Sequence, residues 1–134
     1  MTVIDVSVQD GFAMLRDLDD AVLIDVRTPQ EWTLVGVPHL ESIGKSVRFA
    51  AWSEFGTGLP NPNFADEALD GLDSQTPLLF LCRSGVRSKA AGAMAAQAGF
   101  ANTYNLQEGF EGDVNADGHR DGGWKHVGLP WSQR

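Results

Sequence analysis

The chain has 134 residues, 43% of them hydrophobic and 21% charged, with no low-complexity tract. That composition predicts one folded domain over residues 1–134 with a sizeable core. A formal net charge of −8 argues against nucleic acid as a partner, because gripping a polyanion rests on neutralising phosphates with Lys and Arg.

Val3 to Val6 reads as a short strand. Ser7 is placed to cap a helix through Leu18, with Phe12, Leu15 and Leu18 on one face. No basic stretch leads into an apolar run over Met1 to Phe12, and no later run approaches the roughly 18 apolar residues of a membrane span. A membrane partner is therefore not expected, and the cytoplasm is the expected location. Ala21 to Val26 (AVLIDV) is short, apolar and rich in β-branched residues, which predicts a strand buried on both faces of a parallel sheet. Thr28, Pro29 and Glu31 then spell a helix start: a cap, a proline at the first helical position and an acid that completes a capping box. That helix should reach about Leu34.

From Gly36 to Pro62 the signals weaken to a short strand, a helical turn and loops. Asn63 is placed to cap a helix from Phe64 to Leu72, followed by a turn at Ser74 to Thr76 and a strand from Pro77 to Leu81. Cys82 to Arg87 is a turn-like loop, and the alanines of Ser88 to Ala98 favour helix. Asn102 to Leu106 supplies another strand. Gly109 to Gly123 is a loop rich in Gly and Asp before an aromatic tail with Trp124 and Trp131. Strands alternating with helices predict an α/β sandwich around a mostly parallel sheet.

Cys82 is the one cysteine, so it forms no internal disulfide and has no resolving thiol in the same chain. It follows the apolar run Leu78 to Leu81, at what should be the carboxyl end of a buried strand, where open α/β sheets place their ligands. A helix start after it, with Arg83 and Arg87 close by, would favour the nucleophilic thiolate. Against the acidic whole, Arg83, Arg87 and Lys89 make a local reversal of sign that reads as an anion site. Gly85 suits a positive φ, letting successive amides turn inward, and Ser84 and Ser88 add hydroxyl donors. An inert core thiol is the competing reading, but it needs no such neighbours.

Leu23 to Trp32 (LIDVRTPQEW) and Leu79 to Ser88 (LFLCRSGVRS) resemble the two signature regions of rhodanese domains, and the resemblance covers nearly the whole chain. It implies a three-layer α/β sandwich and a sulfurtransferase that needs no cofactor. Cys82 would form a persulfide on the first residue of the loop Cys82 to Arg87. Arg83 and Arg87 would bind an anionic sulfur donor such as thiosulfate, and the segment Ser84, Gly85, Val86, Arg87 and Ser88 would hold the persulfide with its backbone amides. Cyanide, a small thiol or a protein would be the sulfur acceptor. Gly36 to Leu40 (GVPHL) departs from the family's usual GHIPGA-like segment, which leaves the shape of Glu41 to Phe55 open.

Two other functions share these residues. A phosphatase or arsenate-reductase-like enzyme also closes a cysteine loop with an arginine, but usually with five intervening residues, whereas four separate Cys82 from Arg87. A binding or sulfur-relay module on the same scaffold is the second. Arg27 is read as a structural ion pair with Glu31, and Asp25 as scaffolding. His39, His119 and His126 stand at no metal-ligand spacing. Asp113 to Asp121 (DVNADGHRD) matches the first part of a calcium loop, but Trp124 occupies the position of its bidentate Glu, so a turn without an ion is expected.

Overall fold

A computed structural model describes residues 2–134. The strands are β1 (Ile4–Val6), β2 (Val22–Asp25), β3 (Val37–Pro38), β4 (Arg48–Phe49), β5 (Leu78–Leu81), β6 (Thr103–Leu106) and β7 (Trp131–Ser132). The helices are α1 (Val8–Asp17), α2 (Pro29–Val35), α3 (Phe64–Leu69), α4 (Val86–Gln97) and α5 (Gly123–His126). Five strands form one parallel sheet in the order β1-β6-β5-β2-β4, while β3 and β7 pair antiparallel at the side.

β5 lies at the middle of that sheet, and its four residues are all buried. Alternation along the strand divides them between two cores. Leu78 and Phe80, with Ile24 and Val26, pack against Phe64 and Ala68 of α3 and Ala91 and Ala95 of α4. Leu79 and Leu81, with Leu23, pack against Val8 and Leu15 of α1 and Trp124 of α5. The result is the predicted helix, sheet, helix sandwich.

Local chemistry explains the boundaries. Ser7 accepts from Asp10 N and caps α1, and Thr28 and Glu31 form a complete capping box at α2 with Pro29 in its first turn. Leu18 falls just beyond α1, in extended backbone, and is 40% exposed instead of joining the buried face of Leu15. Asn63 does not cap α3 with its side chain; its amide instead donates to Asn61 Oδ1 at 3.0 Å. α3 stops at Leu69, short of Leu72, because Asp70 is extended and Gly71 turns at φ 75°. α4 begins at Val86, two residues ahead of the expected Ser88, since the left-handed turn at Gly85 already sets the helical direction.

Candidate functional site

Cys82 is the residue after β5, at the carboxyl edge of the sheet's central strand, and is 1% exposed. Gly85, at φ 101°, folds the chain back so that its amide donates to Cys82 Sγ at 3.1 Å. A Cβ at Gly85 would run into the Gln107 carbonyl, and one at Gly109 into the Arg83 and Ser84 backbone. Both glycines are thus required by close approach. Phe110 N and Glu111 N donate to the carbonyls of Cys82 and Arg83 at 2.8 and 3.0 Å, fastening the loop from below.

α4 has no side-chain cap, and among the described residues the amides of Val86, Arg87 and Ser88 donate to no other protein group. A helix start with open N–H groups and a positive dipole end therefore stands beside the sulfur, suited to negative charge held there. Ser84 is half-buried at the loop's turn, while Val86 projects outward, 75% exposed.

Ser88 reaches Sγ from the other side, with Oγ 3.2 Å away. The same hydroxyl donates to Asn105 Oδ1 at 2.5 Å. Asn105 Nδ2 donates to Asp5 Oδ1 at 3.0 Å and to the Gly85 carbonyl at 3.1 Å, two acceptors that fix which way the amide faces. Since a hydroxyl has one proton, Ser88 serves either the amide or the sulfur at any moment. Lys89 Nζ closes the row on Asp5 at 2.7 Å, and these hydrogen bonds from Lys89 and then Asn105 hold the Asp5 carboxyl below its ordinary range. The sequence reading overlooked Asn105; a buried Asn in the strand Thr103–Leu106 was its signal.

The cations around Cys82 are not free. Arg83 Nε meets Glu111 Oε1 at 2.6 Å, Arg87 makes a bidentate pair with Glu31 at 2.7 and 2.8 Å, and Lys89 holds Asp5. For Glu31, burial pushes the carboxyl up, yet the hydrogen bonds and charge of Arg87, helped by Thr28, outweigh it and leave the group below the ordinary carboxylate range. The Glu31 hydrogen bond likewise raises Arg87 against the opposing effect of burial.

The expected Arg27–Glu31 pair does not form. Arg27 is wholly buried and turns back on Asp25, with Nη2 to Oδ2 at 2.8 Å and Nε to Oδ1 at 3.1 Å, because β2 ends there and both side chains fall on the inner side. Its guanidinium also lies 4.2 Å from the Phe110 ring centroid and donates to the Gly36 carbonyl. Asp25 and Arg27 thus brace β2 against the chain after α2.

The Asp-rich turn is closed by its own groups: Asn115 Oδ1 accepts from the amides of Asp117 and His119, and Asn115 Nδ2 donates to Asp121. Among the described residues no cluster of three His, Cys, Asp or Glu side chains is disposed to hold a metal ion, and no helix is long and apolar enough to cross a membrane. Trp124 is fully buried and Trp32 nearly so, both as packing groups.

Residues 8–116 match the family model of the rhodanese-like domain. The protein RC0915 of Rickettsia conorii is 37% identical over 133 residues, 98% of each chain. The crystal structure of Rv0390 from M. tuberculosis is similar over the full length of both chains, with 43% identity and a TM-score of 0.92. The solution structure of a polysulfide-sulfur transferase homodimer from Wolinella succinogenes is 27% identical, with a TM-score of 0.65 over 98% of this chain and 80% of that one.

Proposed function

The chain belongs to the rhodanese-like domain family, and from that premise we propose that it is a sulfurtransferase that carries sulfane sulfur as a persulfide on Cys82. The observation that carries the reading is the setting of Sγ: one amide and one hydroxyl within 3.2 Å, at the uncapped start of α4. A thiolate there attacks the sulfane sulfur of a small donor, thiosulfate and persulfides being the two candidate classes. Sulfite or a thiol leaves, and the negative charge of the new persulfide rests against the open N–H groups.

An acceptor thiolate, or cyanide, then takes the outer sulfur and restores Cys82. With no second cysteine in the chain, sulfur passes outward in a ping-pong cycle to a small molecule or a protein. The likeness to a polysulfide-sulfur transferase supports sulfur-to-sulfur chemistry, and a reduced lone thiol fits a cytoplasmic setting. Arg83 to Ser88 form the substrate-binding loop, and no cofactor enters the cycle.

Incubation with a sulfane-sulfur donor should add one sulfur atom to Cys82 by intact-mass analysis. The Cys82→Ser variant, folded by circular dichroism, should lose both labelling and turnover. Full transfer by that variant, or turnover of an aryl phosphate without sulfur labelling, would sink the reading.

A further inference from the structure

We propose that Trp131 and Lys125 are positioning residues for sulfur transfer, acting on Cys82 through Phe110; the inference rests on the sulfur-transfer reading above. Both lie on the strap from Gly122 to Arg134, which follows the stretch 8–116 that matches the family model. The strap holds α5 and β7, and β7 pairs with β3 through Pro38 and Trp131.

The backbone makes the first connection. Gly109, Phe110 and Glu111 lie under the cysteine loop, where the amides of Phe110 and Glu111 hold the Cys82 and Arg83 carbonyls. The carbonyls of the same three residues accept from the strap: Gly109 from Trp124 N and Phe110 from Lys125 N, both at 2.9 Å, and Glu111 from Gly122 N at 3.0 Å. Phe110 therefore donates to Cys82 and accepts from Lys125. Gly123, at φ 72°, permits this approach, since a Cβ there would run into the Gly109 carbonyl.

Side chains make the second connection. The Phe110 ring is fully buried, with the Arg27 guanidinium 4.2 Å from its centroid and Trp131 edge-on to it, the two centroids 6.3 Å apart. Gly36 leaves room for the Trp131 ring, which a Cβ at that position would strike. Lys125 Nζ lies 4.3 Å from the Trp131 ring centroid and donates to the Val35 carbonyl at 3.0 Å, at the end of α2 where a cation suits the helix dipole. The other end of α2 grips Arg87 through Glu31. The strap thus reaches the cysteine loop by two routes, and Lys125 takes part in both.

A nucleophile displaced by about 1 Å can lose about a hundredfold in rate, so the support beneath Cys82 bears on turnover. The open amides at the start of α4 belong to a separate element, and donor binding there does not depend on Trp131.

Steady-state kinetics with cyanide as acceptor, and with thiosulfate or cysteine persulfide as donor, test this. Trp131→Ala should lower kcat about tenfold while the donor KM stays within about twofold. Trp131→Phe keeps an aromatic face on Phe110 and should recover most of the loss. Lys125→Met keeps the stem but frees the Val35 carbonyl and the Trp131 ring; it should lower kcat about threefold, and it covers the case of a misfolded Trp131→Ala. The control is Arg48→Met, because Arg48 donates to the Ala68 and Asp70 carbonyls at the end of α3, the same chemistry away from the strap. It should lower the urea midpoint as Lys125→Met does and leave kcat unchanged. Wild-type kcat in Trp131→Ala and Lys125→Met, a loss that falls on KM alone, no recovery in Trp131→Phe, or an equal loss of kcat in Arg48→Met overturns the proposal. If neither donor loads Cys82 of the wild type, the sulfur-transfer reading itself falls.

Discussion

Two strand-to-helix junctions stand side by side on the carboxyl edge of the sheet, one from β2 into α2 and one from β5 into α4, since Asp25 pairs in register with Leu81. The first is closed: Asp25 and Arg27 are paired at zero exposure, and Thr28 with Glu31 satisfies the helix start. The second is open: Gly85 offers no cap, and the amides of Val86, Arg87 and Ser88 have no protein partner among the described residues. The same sheet edge thus carries a side-chain-capped junction that braces the fold and a bare one that leaves its donors for a ligand. Glu31 joins them, capping α2 while holding Arg87 of α4.

The largest expected effect lies at the closed junction. Asp25→Asn leaves the Arg27 guanidinium buried without its counter-charge, which should cost about 3–5 kcal/mol. Urea denaturation at neutral pH measures it; a loss below 1 kcal/mol would mean that Arg27 finds another partner and that the junction is less rigid than its geometry. At the open junction, Gly85→Ala forces a Cβ into the Gln107 carbonyl at φ 101°. Strain plus displacement should cost about 2–4 kcal/mol and abolish sulfur loading of Cys82. Loading that survives in this variant would show that the amide turn is dispensable for holding the persulfide.

The contrast also explains what the sequence could tell. Thr28, Pro29 and Glu31 interact within one helical turn, so the capping box was legible, as was the apolar strand ending at Cys82. The Arg87–Glu31 and Arg83–Glu111 pairs join residues 56 and 28 apart in the chain. Nothing local announces them, so the sequence shows three basic side chains near a cysteine but not the carboxylate that each one meets. The start of α4 was misplaced for a related reason: alanine propensity locates a helix, whereas its first residue depends on the left-handed turn at Gly85. Asn105 carried a visible signal, as a polar residue in a buried strand, but its partners Asp5, Gly85 and Ser88 come from elsewhere in the chain.

The smallest effect concerns the residue that links the two junctions. Glu31→Gln keeps an acceptor for the Thr28 amide, so the capping box persists and only the charge facing Arg87 is removed. At pH 7 this should cost about 1 kcal/mol. Because the folded Glu31 carboxyl is depressed below its ordinary value of 4.5, the unfolded chain takes up a proton first as the pH falls, and the stabilising contribution drains away between that value and the lower folded one. Wild type and variant should therefore differ at pH 7 and converge in acid, as read from urea midpoints across that range. A difference that stays constant down to low pH would mean that the loss comes from the altered cap and not from the ion pair, and the two junctions would then be coupled through α2 alone.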